Sequence, residues 1–180
     1  MTLVGGRFIS IFYKFYIEKG GMVFVAVDAG GEVCGLVCGG EPSLRQRFTR
    51  TRMPFYAFDV ILSGLRSSYA RKRLWQHIGS ALKNMGDKIL HGGSGGSTRK
   101  EEAYPWASLL SVCTVPELRG KGVGAALMGR FEVESRTRGY KVIRLSVHTD
   151  NVAAANLYKK CGWEVVRQLA GGVYFVKVLG

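Results

Sequence analysis

The chain predicts an α/β domain with a mixed sheet, and three stretches carry that reading. Val112 to Met128 runs as a buried strand, a glycine turn and a helix in immediate succession. Met22 to Cys38 forms two apolar runs either side of Asp28-Ala29-Gly30-Gly31, and Asn151 to Leu179 is a capped helix followed by two short strands. Strand, helix and strand in sequence make a right-handed crossover, while a hairpin makes an antiparallel pair. A single sheet must then hold both kinds of pairing.

Residues 6–19 place Phe8, Ile11, Phe12, Phe15 and Tyr16 at helical spacing with Lys14 and Lys19 off that face, which predicts an amphipathic first helix ended by Gly20-Gly21. Met22 to Val27 is a strand, and Glu32 to Cys38 is its hairpin partner. From Gly39 the composition changes. Arginines and lysines are interleaved with Phe48, Phe55, Tyr56, Phe58, Tyr69 and Trp75. Helical spacing in Phe55, Phe58, Ile61, Leu62, Leu65 and again in Leu74, Ile78, Leu82, Met85 predicts two inserted helices with basic outer faces. We favour a solvated basic face there over a platform for nucleic acid or an anionic membrane surface. His91 to Thr98 is Gly/Ser-rich and reads as a mobile loop, because too little chain lies on either side for two cores. Residues 1–180 are therefore expected to form a single domain with an insertion at about 40–104. Beyond it, Trp106 to Val115 is a strand, Val123 to Arg138 a helix stopped by Gly139, and Lys141 to Val147 a strand. Asn151 caps a helix that reaches Lys160 and stops at Gly162, and Trp163 to Gln168 and Val173 to Leu179 close the sheet.

The 180 residues can bury about two-thirds of the unfolded surface without disulfides. Cys34, Cys38, Cys113 and Cys161 lie in apolar surroundings, with no Cys-x-x-Cys pair and no histidine at ligand spacing, so reduced and mostly buried thiols, no metal site and a cytoplasmic location are expected. Arg7 and Lys14 interrupt the apolar N-terminus, which speaks against a signal peptide, and no run reaches the roughly 18 apolar residues of a membrane span. A net charge of +13 draws anions of every kind without choosing among them. The oligomeric state, a homodimer included, is left open.

The glycine turn narrows the choice. Gly120, Gly122 and Gly124 let the backbone turn tightly with its N–H groups uncovered, at the positive end of the following helix, which makes an anion site and most simply a phosphate site. A P-loop needs Ser or Thr after its lysine, but Lys121 is followed by Gly122. The dinucleotide fingerprint read from Gly120 meets Ala125, yet Arg144-Leu145-Ser146-Val147-His148 offers no acid for a ribose. What fits is Arg119-x-x-Gly122-x-Gly124.

Two spaced motifs then carry a resemblance: Val115-Pro116-Glu117-Leu118-Arg119-Gly120-Lys121-Gly122-Val123-Gly124, and Asp150-Asn151-Val152-Ala153-Ala154-Ala155-Asn156-Leu157-Tyr158-Lys159-Lys160-Cys161-Gly162-Trp163. With both, the C-terminal half resembles the GNAT superfamily of acyl-CoA N-acyltransferases. The resemblance implies a central mixed, mostly antiparallel sheet flanked by helices, and acetyl-CoA as co-substrate without a metal. It implies that Arg119, Gly120, Lys121, Gly122, Val123, Gly124 and Ala125 cradle the coenzyme pyrophosphate. Val112, Cys113 and Thr114 would face the pantetheine arm, Asn151 would contact the coenzyme, and Tyr158 would be the general acid at the sulfur. Asn151 is also an adequate helix cap, and Tyr158 an adequate core aromatic with a satisfied hydroxyl.

An acceptor amine with a pKa of about 10 must lose a proton before it attacks a thioester. Relatives often carry a glutamate where this chain has Ser108 or Ser146. His148, two residues past Ser146, is the proposed base, with Glu101 or Glu102 as rivals. The expected reaction is direct acetyl transfer to a primary amine on a small molecule such as an amino sugar or nucleotide-linked amino sugar. A peptide N-terminus, or a non-catalytic coenzyme-binding module, is the alternative. An acyl-cysteine route through Cys113 is disfavoured by the apolar strand around that thiol.

Overall fold

The computed structural model describes residues 6–51, 105–169 and 171–180. The two inserted helices expected within 55–85, the Gly/Ser-rich loop, Glu101 and Glu102 lie outside the described residues. The described residues divide between two units, residues 13–47 with 105–169 and 171–180, and residues 6–12 with 48–51. In the second of these, Phe12 meets Phe48 edge-on with ring centres 5.2 Å apart.

The elements are helix α1 (Gly6–Glu18), strands β1 (Met22–Val27) and β2 (Val33–Gly40), helix α2 (Pro42–Thr51), strand β3 (Trp106–Thr114), a 3₁₀ turn at Pro116–Leu118, helix α3 (Val123–Thr137), strand β4 (Val142–Val147), helix α4 (Val152–Lys160), and strands β5 (Glu164–Leu169) and β6 (Gly172–Val178). Helix α2 has no counterpart in the sequence reading. Pro42 opens it at a position where a missing N–H costs nothing, and Leu44 and Phe48, four residues apart, are buried while Arg45, Arg47 and Arg50 are exposed. Among the described residues the six strands form one sheet in the order β1-β2-β3-β4-β6-β5. Every pair is antiparallel except β3 with β4, so the sheet is mixed and mostly antiparallel. No helix among the described residues is long and apolar enough to cross a membrane.

Helix α3 packs across β1, β2 and β3. Glycines four apart on β2 admit it: a Cβ on Gly35 would stand 2.9 Å from Leu127 Cδ1, and one on Gly39 2.6 Å from Phe131 Cζ. Leu127, Met128 and Phe131 of α3 join Val37, Leu109, Ile143, Leu145, Tyr158, Trp163 and Phe175 in one core. Two irregularities in β3 then open the sheet. Leu109 pairs with Gly39 and Ser111 with Cys38, which leaves Leu110 as an extra, bulged residue. The parallel pairing with β4 covers only Trp106–Ser108 against Val142–Arg144, so beyond Ser108 the two strands part company.

Candidate functional site

Where β3 leaves β4, a groove of about 640 Å³ opens. Its walls are the end of β3 (Val112, Cys113, Thr114), the glycine turn (Arg119, Gly120, Gly122, Gly124, Ala125), and Asn151 with one face of α4. Nine of the eleven residues expected to contact a coenzyme therefore line one cavity. Lys121 does not, and Val123 turns inward to pack on the core, with its Cγ1 3.1 Å from where a Gly35 Cβ would stand.

The turn is shaped as its glycines require. Gly120 and Gly122 have φ of +77° and +88°, the left-handed region, and a Cβ on either would project into open space. Gly122 is the N-cap of α3 and offers no side-chain acceptor. Among the described residues, the N–H groups of Gly120, Gly122, Val123, Gly124 and Ala125 have no hydrogen-bond partner in the chain. Five uncovered donors at the positive end of a 15-residue helix are the kind of donor set that anions take up at helix starts. Gly124 has a second use: its missing Cβ would stand 3.2 Å from Leu157 Cδ2, so α3 and α4 approach closely across the groove.

Asn151 both lines the groove and caps α4, its Oδ1 accepting from Ala154 N–H at 3.2 Å. The groove-lining face of α4 also includes Ala153, Asn156, Leu157 and Lys160, which the sequence reading did not single out. Their three- and four-residue spacing is the signal that marks them. Cys113 is exposed, contrary to the expectation of a buried thiol, because the end of β3 has no β4 beside it. Cys161 is half-buried on the opposite wall; burial, and then the Glu132 carboxylate, push its thiol pKa up, with Lys177 opposing. Cys34 and Cys38 are buried as expected. One further polar pair lies beneath β3, where the hydroxyls of Tyr13 and buried Ser111 are 3.2 Å apart.

Tyr158 is buried, its ring against Trp163 and Phe175 with centres 6.1 Å and 5.4 Å away. Burial raises its pKa above the ordinary 10.0. No hydrogen bond from its hydroxyl is present among the described residues, and that hydroxyl is not one of the fully buried side-chain atoms without a partner. Tyr158 follows Leu157 on α4 but is not itself among the groove-lining residues. His148 lies elsewhere. It is half-exposed just past the end of β4, its Nδ1 3.2 Å from Asp150 Oδ2, and lines a smaller hollow of about 310 Å³ with Ser146, Leu169, Gly172 and Tyr174. That hollow shares no residue with the groove. Ser108 pairs with Gly40 on one side and Arg144 on the other, in the last paired step before β3 and β4 separate.

A family model described as the acetyltransferase (GNAT) family matches residues 6–163. An uncharacterized N-acetyltransferase of Methanocaldococcus jannaschii is 30% identical over 71 residues, which are 39% of this chain and 31% of that protein. The match thus spans about a third of that relative's length. Among solved structures, Ard1 from Thermoplasma volcanium superposes with a TM-score of 0.55 at 18% identity, covering 95% of this chain and 79% of that one. The yncA protein of Salmonella typhimurium, solved with its cofactor acetyl-CoA, gives 0.54 at 18% identity, covering 94% of this chain and 71% of that one.

Proposed function

Because the chain belongs to the acetyltransferase (GNAT) family, we propose that it transfers the acetyl group of acetyl-CoA directly to a primary amine. The observation that supports this most is the turn from Gly120 to Ala125, which carries five uncovered N–H groups and lines a groove of about 640 Å³ with Gly120, Gly122, Gly124 and Ala125. A pyrophosphate fits such donors, because each N–H to a charged oxygen forms a charge-assisted bond. Bound there, acetyl-CoA supplies a thioester whose acyl carbon can accept an amine.

The chain's own residues then have defined tasks. Arg119 to Ala125 hold the phosphates, Asn151 and one face of α4 close the groove, and the backbone of Val112 to Thr114 orients the arm. Orientation of the two reactants contributes on the order of 7–11 kcal/mol, more than any single proton transfer. His148 takes the ammonium proton through a bridging water, as its separate hollow requires. A C–N bond forms, the C–S bond breaks, and Tyr158 Oη gives its proton to the departing sulfur. A phenol kept protonated by burial suits that donation. The acceptor is read as a small amine, an amino sugar being favoured by the net charge of +13 if it carries phosphate. The four free thiols suit a reducing, cytoplasmic compartment.

Thiol release from acetyl-CoA, followed across amino sugars, polyamines, amino acids and peptides, tests the proposal. Turnover with at least one amine is expected; coenzyme binding without turnover on any amine would leave a binding module. The exposure of Cys113 in the groove favours one second reading, an acetyl-cysteine intermediate. Mass spectrometry with acetyl-CoA and no acceptor decides it: an accumulating acetyl group on Cys113 overturns direct transfer.

A further inference from the structure

The last turn of α4 is held by a closed ring of side chains that the reaction described above does not use. The turn ends in a Schellman arrangement: Gly162 has φ +75°, its N–H donates to Lys159 O at 3.0 Å, and Trp163 N–H donates to Tyr158 O at 3.0 Å. The hydrophobic contact that accompanies such an ending is Trp163 against Tyr158 itself, with centres 6.1 Å apart. Trp163 Nε1–H in turn donates to Glu132 Oε1 of α3 at 3.2 Å. Glu132 Oε2 lies 2.9 Å from Lys177 Nζ of β6, and that ammonium donates to Cys161 O at 2.6 Å. Cys161 is the C-cap of α4, and its carbonyl is one that the Schellman bonds leave open. The chain of contacts therefore runs from Tyr158 through Trp163, Glu132 and Lys177 back to the end of the same helix.

An ion pair this enclosed is weak evidence for stability, since desolvation offsets most of its attraction. Glu132 is only 7% exposed. What the ring does determine is geometry. It ties the last turn of α4 to α3 and to β6 at once, and that turn carries Tyr158 on its core side and Leu157, Lys160 and Cys161 on the groove side. We propose that Lys177 and Glu132 are positioning residues, which fix where the last turn of α4 holds Tyr158 relative to the groove. The proposal rests on the reading of Tyr158 as the acid.

The test compares Lys177→Met, the neutral pair Glu132→Gln/Lys177→Met, and each of these combined with Tyr158→Phe in the full-length chain. Lys177→Met alone strands a buried carboxylate and should lose about 5–10 °C in Tm, whereas the neutral pair should stay within about 4 °C of the parent. Thiol release from acetyl-CoA, to the fastest amine of the panel or to water where none is faster, should nonetheless fall roughly 10- to 100-fold in kcat for the neutral pair, with KM for acetyl-CoA changed less than about threefold. In the Tyr158→Phe background the same pair should cost little more, because both act on one group. In the coenzyme-free protein, the ¹³Cζ resonance that disappears in Tyr158→Phe should shift in the neutral pair. Recovery of kcat along with Tm in the neutral pair overturns the proposal, as does full additivity with Tyr158→Phe. A neutral pair as unstable as Lys177→Met also overturns it, since the ring is then a stability element. If Tyr158→Phe by itself leaves kcat unchanged, the acid assignment fails and the positioning proposal fails with it.

Discussion

Replacing Gly122 by alanine perturbs the groove at its most informative point. The residue sits at φ +88°, ψ −11° as the N-cap of α3, and a Cβ there meets nothing within 4 Å. The cost to folding is therefore conformational, with no steric clash: an L side chain in the left-handed region loses about 1–2 kcal/mol. For a chain of this size that is a Tm loss of about 2–8 °C. The cost to binding is separate and larger. Gly122 lines the groove among the uncovered N–H groups, and an alanine that relaxes out of the left-handed region re-aims them. A charge-assisted hydrogen bond contributes about 1.5–3 kcal/mol, so the loss of one raises Kd for acetyl-CoA roughly 10- to 100-fold. Gly129→Ala is the matched control. It lies exposed within α3, again with nothing within 4 Å, where alanine gains about 0.5–1 kcal/mol. Calorimetric titration and thermal melts on both variants are the assay. A Gly122→Ala protein that binds acetyl-CoA as tightly as the parent refutes the cradle.

Tyr158→Phe is expected to lower kcat about 10²- to 10⁴-fold with little change in KM for acetyl-CoA, read by steady-state thiol release. Since burial raises this phenol above its ordinary 10.0, its ionisation should cost less than half of the parent's kcat at pH 10, and an alkaline fall with its midpoint below that pH speaks against the assignment. Gly39→Ala should cost about 3 kcal/mol in urea unfolding, because its Cβ would collide with Ser108 O and stand 2.6 Å from Phe131 Cζ. Burial pushes Tyr16 and Cys38 up to about 12 from 10.0 and 9.0. The folded chain holds those protons more tightly than the unfolded one, so their contribution to stability is complete below pH 9 and disappears as pH rises from there through 12. Melts between pH 8 and 12 should show Tm falling across that window, and a flat Tm contradicts it.

The elements of the sheet were legible wherever one local pattern dominated. The capping asparagine, the punctuating glycines and the apolar strand runs each placed a boundary within one or two residues of its observed position. Helix α2 escaped because Arg45, Arg47 and Arg50 mask a short apolar stripe whose anchors, Leu44 and Phe48, are too few to set a period. The groove could be read from its glycines, since a left-handed turn at a helix start leaves its mark in residue type. The bulge at Leu110 could not, because it depends on how Cys38 and Gly39 pair across the sheet. Cys113 follows from the same cause: its strand is apolar in sequence, but the neighbouring strand that would cover it has parted. The ring through Glu132 and Lys177 joins residues 45 positions apart, and the partnership of Tyr13 with Ser111 spans 98, separations that no helical or strand period encodes.

The central claim is that the turn at Gly120 to Ala125 and the face of α4 hold acetyl-CoA. A thermal shift of the full-length chain with acetyl-CoA tests it most directly. At a hundredfold excess over Kd the coenzyme should stabilise the fold by about 2.7 kcal/mol, raising Tm by about 5–10 °C. An unchanged Tm at millimolar acetyl-CoA contradicts the account.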